Sequence, residues 1–241
     1  MARKLADHPR LYISREDLDR LKTQPRLELL RRCRAHVEER ANHWVGLPPM
    51  EYRRNVHNEL LLRAREMQTR VLTLAARYLT TGRDTFRQAV LEHIRWMHDW
   101  EYWSWLAMRS GDSSPEAVFD LSYGENATTL ALAFDWLHEH LDETGRQLFV
   151  DTARKWVVPS ALVNAAPGVS RWFGRPDSNW NTVCAGGLGM LCLSMHEHLD
   201  EADRLLEWVE QSIEPFFQRL DDGQGGWPEG MEGTAVRFIR L

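Results

Sequence analysis

The chain has 241 residues, 43% of them hydrophobic and 27% charged, with a net charge of -5 and a pI near 6.1. This is the composition of an ordinary globular protein, and the length allows one large domain or two small ones; a single α-helical domain over residues 1–241 is the expectation. The acidic balance, with no basic run beyond Arg31-Arg32-Cys33-Arg34, argues against nucleic acid as a partner. No apolar run approaches the roughly 20 residues of a membrane helix. The opening Met1–Pro9 lacks an apolar signal core, so the expected location is cytoplasmic, or periplasmic or secreted if a leader has been removed.

Helical periodicity dominates the chain. Ser14 before Arg15-Glu16-Asp17 reads as an N-cap with acid in the first turn, for a helix ending near Lys22. Pro25 opens a second helix with Leu27, Leu30, Cys33 and Val37 in register, and Pro48-Pro49 breaks the chain. A long amphipathic pattern over 56–80 repeats Leu60, Met67, Val71, Leu74 and Tyr78 on one face. Gly82 stops it, and Asp84 starts a helix to about His98 with Phe86, Val90, Ile94 and Met97 in register. Residues 101–120 are less regular, and Gly111-Asp112-Ser113-Ser114-Pro115 is a turn cluster.

From Tyr123 to His140 a helix is expected whose Ala127–Leu137 stretch is nearly all apolar or small, as a helix buried on most sides would be. The next spans Glu143 to about Val157 and is expected to end at Pro159. Loop residues cluster at Ala166-Pro167-Gly168 and Gly174-Arg175-Pro176-Asp177. Helices over about 180–197 and 200–220 follow, then the loop Asp221–Gly226. Alternating strand patterns are absent, as is a repeat of fixed length. The expectation is an all-α fold of antiparallel helical hairpins, with buried helices inside amphipathic ones.

Three cysteines, Cys33, Cys184 and Cys192, are odd in number and form no C-x-x-C pair, and all three read as small buried hydrophobes. The histidine pairs at 93/98 and 196/198 lack the i, i+4 spacing of a helical zinc site, so no metal is expected. The eleven tryptophans cluster at 96–105 and at Trp172 and Trp180; most should be core, with a few, Trp103 among them, left to wall a groove.

The most chemically pointed stretch is Ser178-Asn179-Trp180-Asn181, running into Thr182–Gly187. Amides at a helix entrance can cap free backbone N–H groups. They can also bond sugar hydroxyls or a carboxylate while the indole offers an apolar face. Both uses fit the pattern. Glu125, read at the start of a buried helix, either caps it or bonds a sugar. Tyr123 could reach the same groove as a fallback proton carrier. Arg171 precedes the amide motif on a loop and could pair with an acidic substrate, and Glu229 lies in a Gly-rich loop.

His8-Pro9-Arg10-Leu11-Tyr12 with Glu16–Leu21, Tyr123-Gly124-Glu125 leading to Phe134-Asp135-Trp136, the Ser178–Asn181 entrance with Gly186-Gly187, and Asp222–Gly223 with Gly226–Gly230 together resemble the heparinase II/III-type and oligoalginate-type polysaccharide lyases. The resemblance implies an α/α toroid, here incomplete at the C-terminal end, and β-elimination on uronate-containing glycans such as alginate or heparan-type chains, with no redox cofactor. It implies that Asn179 or Asn181 neutralises the uronate carboxylate as charge grows on proton loss. Trp180, Glu125, Tyr123, Arg171, Trp103 and Glu229 are then the expected substrate-binding positions. The chain departs from the family in one respect: no tyrosine follows Tyr123 where the family places its proton carrier. A non-catalytic acidic-carbohydrate-binding or scaffold domain is therefore the alternative. A glycoside hydrolase, with Glu125 and Glu229 as its carboxylate pair, is a third reading. An incomplete ring should also expose apolar helix faces and favour self-association.

Overall fold

The computed structural model describes residues 3–23, 25–50, 58–169, 173–175 and 178–220. Helix α1 (Arg15–Lys22) starts at Ser14, whose hydroxyl accepts from the Asp17 amide while Asp17 bonds back to the Ser14 N–H. Then come α2 (Glu28–Trp44), α3 (Glu59–Thr81), α4 (Asp84–Asp99), α5 (Trp105–Ser110), α6 (Leu121–Leu137), α7 (Glu143–Thr152), α8 (Val158–Asn164), α9 (Asn179–Ser194) and α10 (Ala202–Leu220). There is no strand among the described residues. Gly82 ends α3 in the left-handed region, φ 67°, and its N–H bonds the Tyr78 carbonyl.

Pro159 does not end its helix. A π turn over Ala153–Val157 joins α7 to α8, with the Val158 N–H bonded five residues back to the Ala153 carbonyl. The wider turn makes room for a proline ring that would clash with a carbonyl in a regular α-helix.

Helices α6 and α9 form the centre, buried on nearly all sides. Helix α3 packs on α6, α10 on α9, and α4 on both α3 and α7. Helices α3, α6 and α9 run parallel. Arg65 of α3 meets Glu125 near one end of α6, and Tyr78 meets His140 just past the other. Likewise the Cys184 thiol bonds the Asp120 carbonyl at one end, and Phe134 packs on His198 at the other. Three inner helices with antiparallel partners outside them make an array of helical hairpins.

The hairpins carry a shared sequence that periodicity alone does not reveal. His-Glu-His-Leu-Asp-Glu occurs at 138–143 and again at 196–201. Each copy forms a short 3₁₀ turn, after α6 and after α9, and leads towards an outer helix.

The inner helices touch at glycine. A Cβ built on Gly187 would lie 2.2 Å from the Gly124 carbonyl oxygen, and one on Gly124 would lie 2.6 Å from the Val183 oxygen. Only hydrogen fits between the two backbones there.

At the far end of α6, Asp135 holds the start of the chain. Its carboxylate accepts from the Arg10 N–H at 3.0 Å and the Leu11 N–H at 2.8 Å, and lies 2.6 Å from His8 Nδ1. Trp136 Nε1 donates to the Leu11 carbonyl, and Arg10 reaches the Leu193 carbonyl and Glu197 after α9. The His-Pro-Arg-Leu and Phe-Asp-Trp motifs are thus two halves of one anchor.

Buried His93 and half-buried His138 make an acid-labile pair. His93 is held down to about 4 first by burial, and by Arg70, against a bond to the Ala89 carbonyl that favours the charged form. His138 is also held down to about 4, chiefly by partial burial and then by the nearby cations and imidazoles of His8, Arg146, His198 and Arg10. Each binds fewer protons folded than unfolded, where a histidine titrates near about 6.5. Stability from these groups is therefore complete above that pH and is lost as pH falls towards 4. For His93 the loss should reach at most about 3 kcal/mol. Urea unfolding at stepped pH should show it, with a shallower slope in His93→Gln; identical slopes for the two proteins would refute this origin.

Cys33 is exposed, a correction to its reading as a buried residue, because the N-terminal half of α2 stands clear of the core. Leu27, Leu29 and Leu30 are exposed on the same half. Cys184 and Cys192 are buried, and burial pushes the Cys192 thiol up to about 12.

Candidate functional site

The residues marked by the sequence gather mainly at the N-terminal end of the inner helices. Here the helices present the positive ends of their dipoles on the same side. Asp120 organises this end. One carboxylate oxygen caps α6 through the Ser122 and Tyr123 N–H groups. The other takes the Ser104 hydroxyl and the Leu106 N–H, tying in the start of α5. Burial pushes the Asp120 carboxyl up despite these four bonds. Glu125, expected at the helix start, lies instead in the second turn and caps nothing, because Asp120 already holds that role.

Glu125 is 2% exposed and pairs with Arg65, whose Nε lies 3.2 Å from its carboxylate. Gln68 reaches the Glu125 carbonyl at 3.5 Å, and the Thr129 hydroxyl bonds that same carbonyl. Arg65 and Gln68 sit one turn apart on α3. No spacing rule links either to Glu125, and the only local sign of the pair is two polar residues one turn apart within an amphipathic helix.

The α9 entrance divides the two asparagines. Asn179 and Trp180 are half-buried. Trp180 meets Trp105 edge to face at 5.3 Å, in a small cluster with Leu60 and Leu61, apart from the main core. Tyr102 and Leu121 pack on the same cluster. Asn181 turns inward and is fully buried. Its Oδ1 accepts from the Gly174 N–H at 2.8 Å and the Ser212 hydroxyl at 2.5 Å, while its Nδ2 donates to the Ser212 carbonyl. It ties α9 to α10 and to the loop before α9, and the expectation that it meets a substrate carboxylate is corrected on that ground. Ser178 caps α9 without a side-chain bond.

Tyr123 and Trp103 are also core residues rather than groove residues. Tyr123 is fully buried, donates its hydroxyl to the Val157 carbonyl in the π turn, and has its phenol pushed well above the usual range by burial. Trp103 is fully buried, bonds the Met97 carbonyl and stacks on Trp156. Both follow the commoner fate of large aromatic side chains. Arg171 and Glu229 lie outside the described residues.

Thr128, one turn after Glu125 on α6, and Thr182 and Gly186, one turn apart on α9, are half-buried. Among the described residues a Cβ on Gly186 would meet no atom within 4 Å, so there is open space at that one point of α9. This end of the fold therefore combines half-buried polar positions on α6 and α9, a half-exposed guanidinium, an amide and an indole. Such a set can bond an anion and sugar hydroxyls and pack on the apolar face of a ring. Among the described residues no group of three or more His, Cys, Asp or Glu side chains could hold a metal ion, and no helix is long and apolar enough to cross a membrane.

No protein-family model matches the chain, and no curated protein matches it.

Proposed function

We propose that the N-terminal end of α3, α6 and α9 is a binding site for an acidic, uronate-containing glycan, in a helical-hairpin domain of the polysaccharide-lyase type whose hairpins form part of an α/α toroid. One observation carries this reading: Arg65 with its buried partner Glu125 lies at the same helix ends as half-buried Asn179 and Trp180. Cation, amide and indole edge are what an acidic sugar needs, and the parallel helix dipoles favour its charge. In the lyase form of the proposal, Asn179 and Arg65 stabilise the enolate-like charge, and the residue that takes the proton is not among the described residues named here.

The burial of Tyr123, its hydroxyl given to Val157, favours a second reading, in which the chain binds the glycan without cleaving it. Calorimetry with oligomers of alginate and heparan type, run beside an ultraviolet assay for unsaturated uronate, separates the two. Binding with new absorbance supports the lyase, binding without it supports the binder, and no binding to any uronate oligomer removes both. The exposed leucines of α2 are a candidate surface for self-association, which sedimentation would reveal.

A further inference from the structure

With Asn181 committed inside the fold, the carboxylate-binding role expected of the amide pair is only half filled. Arg65 has the chemistry to fill it. Its Nε bonds Glu125, and among the described residues its guanidinium makes no other hydrogen bond or ion pair. Its side chain is 43% exposed against 2% for Glu125. An exposed ion pair between two mobile side chains fixes neither partner. Here one partner is immobile: Glu125 sits in the second turn of the most deeply buried helix, beside the backbone contact at Gly124. A buried carboxylate that engages Nε leaves the two terminal nitrogens, the fork that recognises carboxylates in bidentate fashion, for another anion. Gln68, one turn along α3, supplies an amide tied to the same residue.

We propose that Arg65, oriented by Glu125, binds the uronate carboxylate, with Glu125 acting as a positioning residue that touches no substrate. This rests on the acidic-glycan reading above. The test compares a homo-oligouronate with its carboxyl-reduced counterpart by calorimetry on the full chain, the fold being checked by circular dichroism and thermal melting. Native protein should prefer the acidic oligomer. Arg65→Gln should lose roughly 10- to 100-fold in affinity for it while its affinity for the reduced oligomer stays unchanged. Arg65→Lys, which keeps the charge without the fork, should fall between. Glu125→Gln should reduce the preference for the acidic oligomer, a readout that a purely structural role would not move. A folded Arg65→Gln with native affinity and native preference overturns the assignment and leaves the glycan reading standing. If Arg65→Gln fails to fold, Arg65→Lys decides: native affinity for the acidic oligomer overturns the proposal, and a loss confined to that oligomer supports it. Native protein that binds neither oligomer brings down both the glycan reading and this assignment.

Discussion

Gly187→Ala should destabilise the protein by at least about 3 kcal/mol, or prevent folding, while Gly186→Ala next to it should stabilise by up to about 1 kcal/mol. The two glycines are neighbours on one helix, so propensity alone predicts the same gain for both. Packing separates them. The new methyl at position 187 would stand 2.2 Å from the Gly124 carbonyl oxygen and 3.1 Å from its Cα, all backbone of α6. No rotamer change relieves that contact, and the helices must move apart. Their separation would loosen the Cys184 bond to Asp120 and the packing of Leu188 and Leu191. At position 186 the methyl meets open space. Urea unfolding of the two variants measures the difference. Equal midpoints would mean that α6 and α9 do not cross at these glycines.

Asp135→Ala should cost about 3–5 kcal/mol. Its carboxylate serves the Arg10 and Leu11 N–H groups and the ring of His8, and it is 1% exposed. Truncation leaves those donors buried without a partner, which costs more than the lost bonds themselves. Asp135→Asn keeps the shape but offers one acceptor oxygen where two are used, so its cost should be smaller. Release of the anchored segment gives a second readout: limited proteolysis should cut near Leu5–Ile13 in Asp135→Ala well before the native chain is touched. An Asp135→Ala protein with native stability and native resistance would show that the anchor contributes little.

The helices were legible because their signals are local. Ser14 with Asp17, the apolar run before Leu137 and the stop at Gly82 each depend on neighbours within a turn or two, and the structure places α1, α6 and the end of α3 accordingly. Pro159 misled because whether a proline ends a helix or is absorbed by a π turn depends on packing outside the helix. Asp120 is a preferred capping residue and caps α6 three residues before the Tyr-Gly-Glu at which the sequence reading starts the helix. The duplicated His-Glu-His-Leu-Asp-Glu is a local sign of repeated hairpins, but six identical residues are too short to set a repeat length across helices of unequal size.

The proposed site draws on residue types that the sequence displays and on placements that it does not. Asn179, Trp180 and Glu125 do share one end of the fold. Which of two asparagines in the same helical turn faces inward is a matter of helical phase. One residue between them turns the direction by about 200°, so Asn181 enters the interior as Asn179 stays at the edge. Arg65 could not be found at all, because its meaning comes from a carboxylate sixty residues away.

The location of the site is tested most directly by hydrogen exchange with and without a saturating uronate oligomer. Protection should appear in the first turns of α6 and α9 and around Arg65–Gln68 of α3, with the His-Glu-His turns unchanged. Protection centred on those turns, or none anywhere under conditions where calorimetry shows binding, would contradict the account.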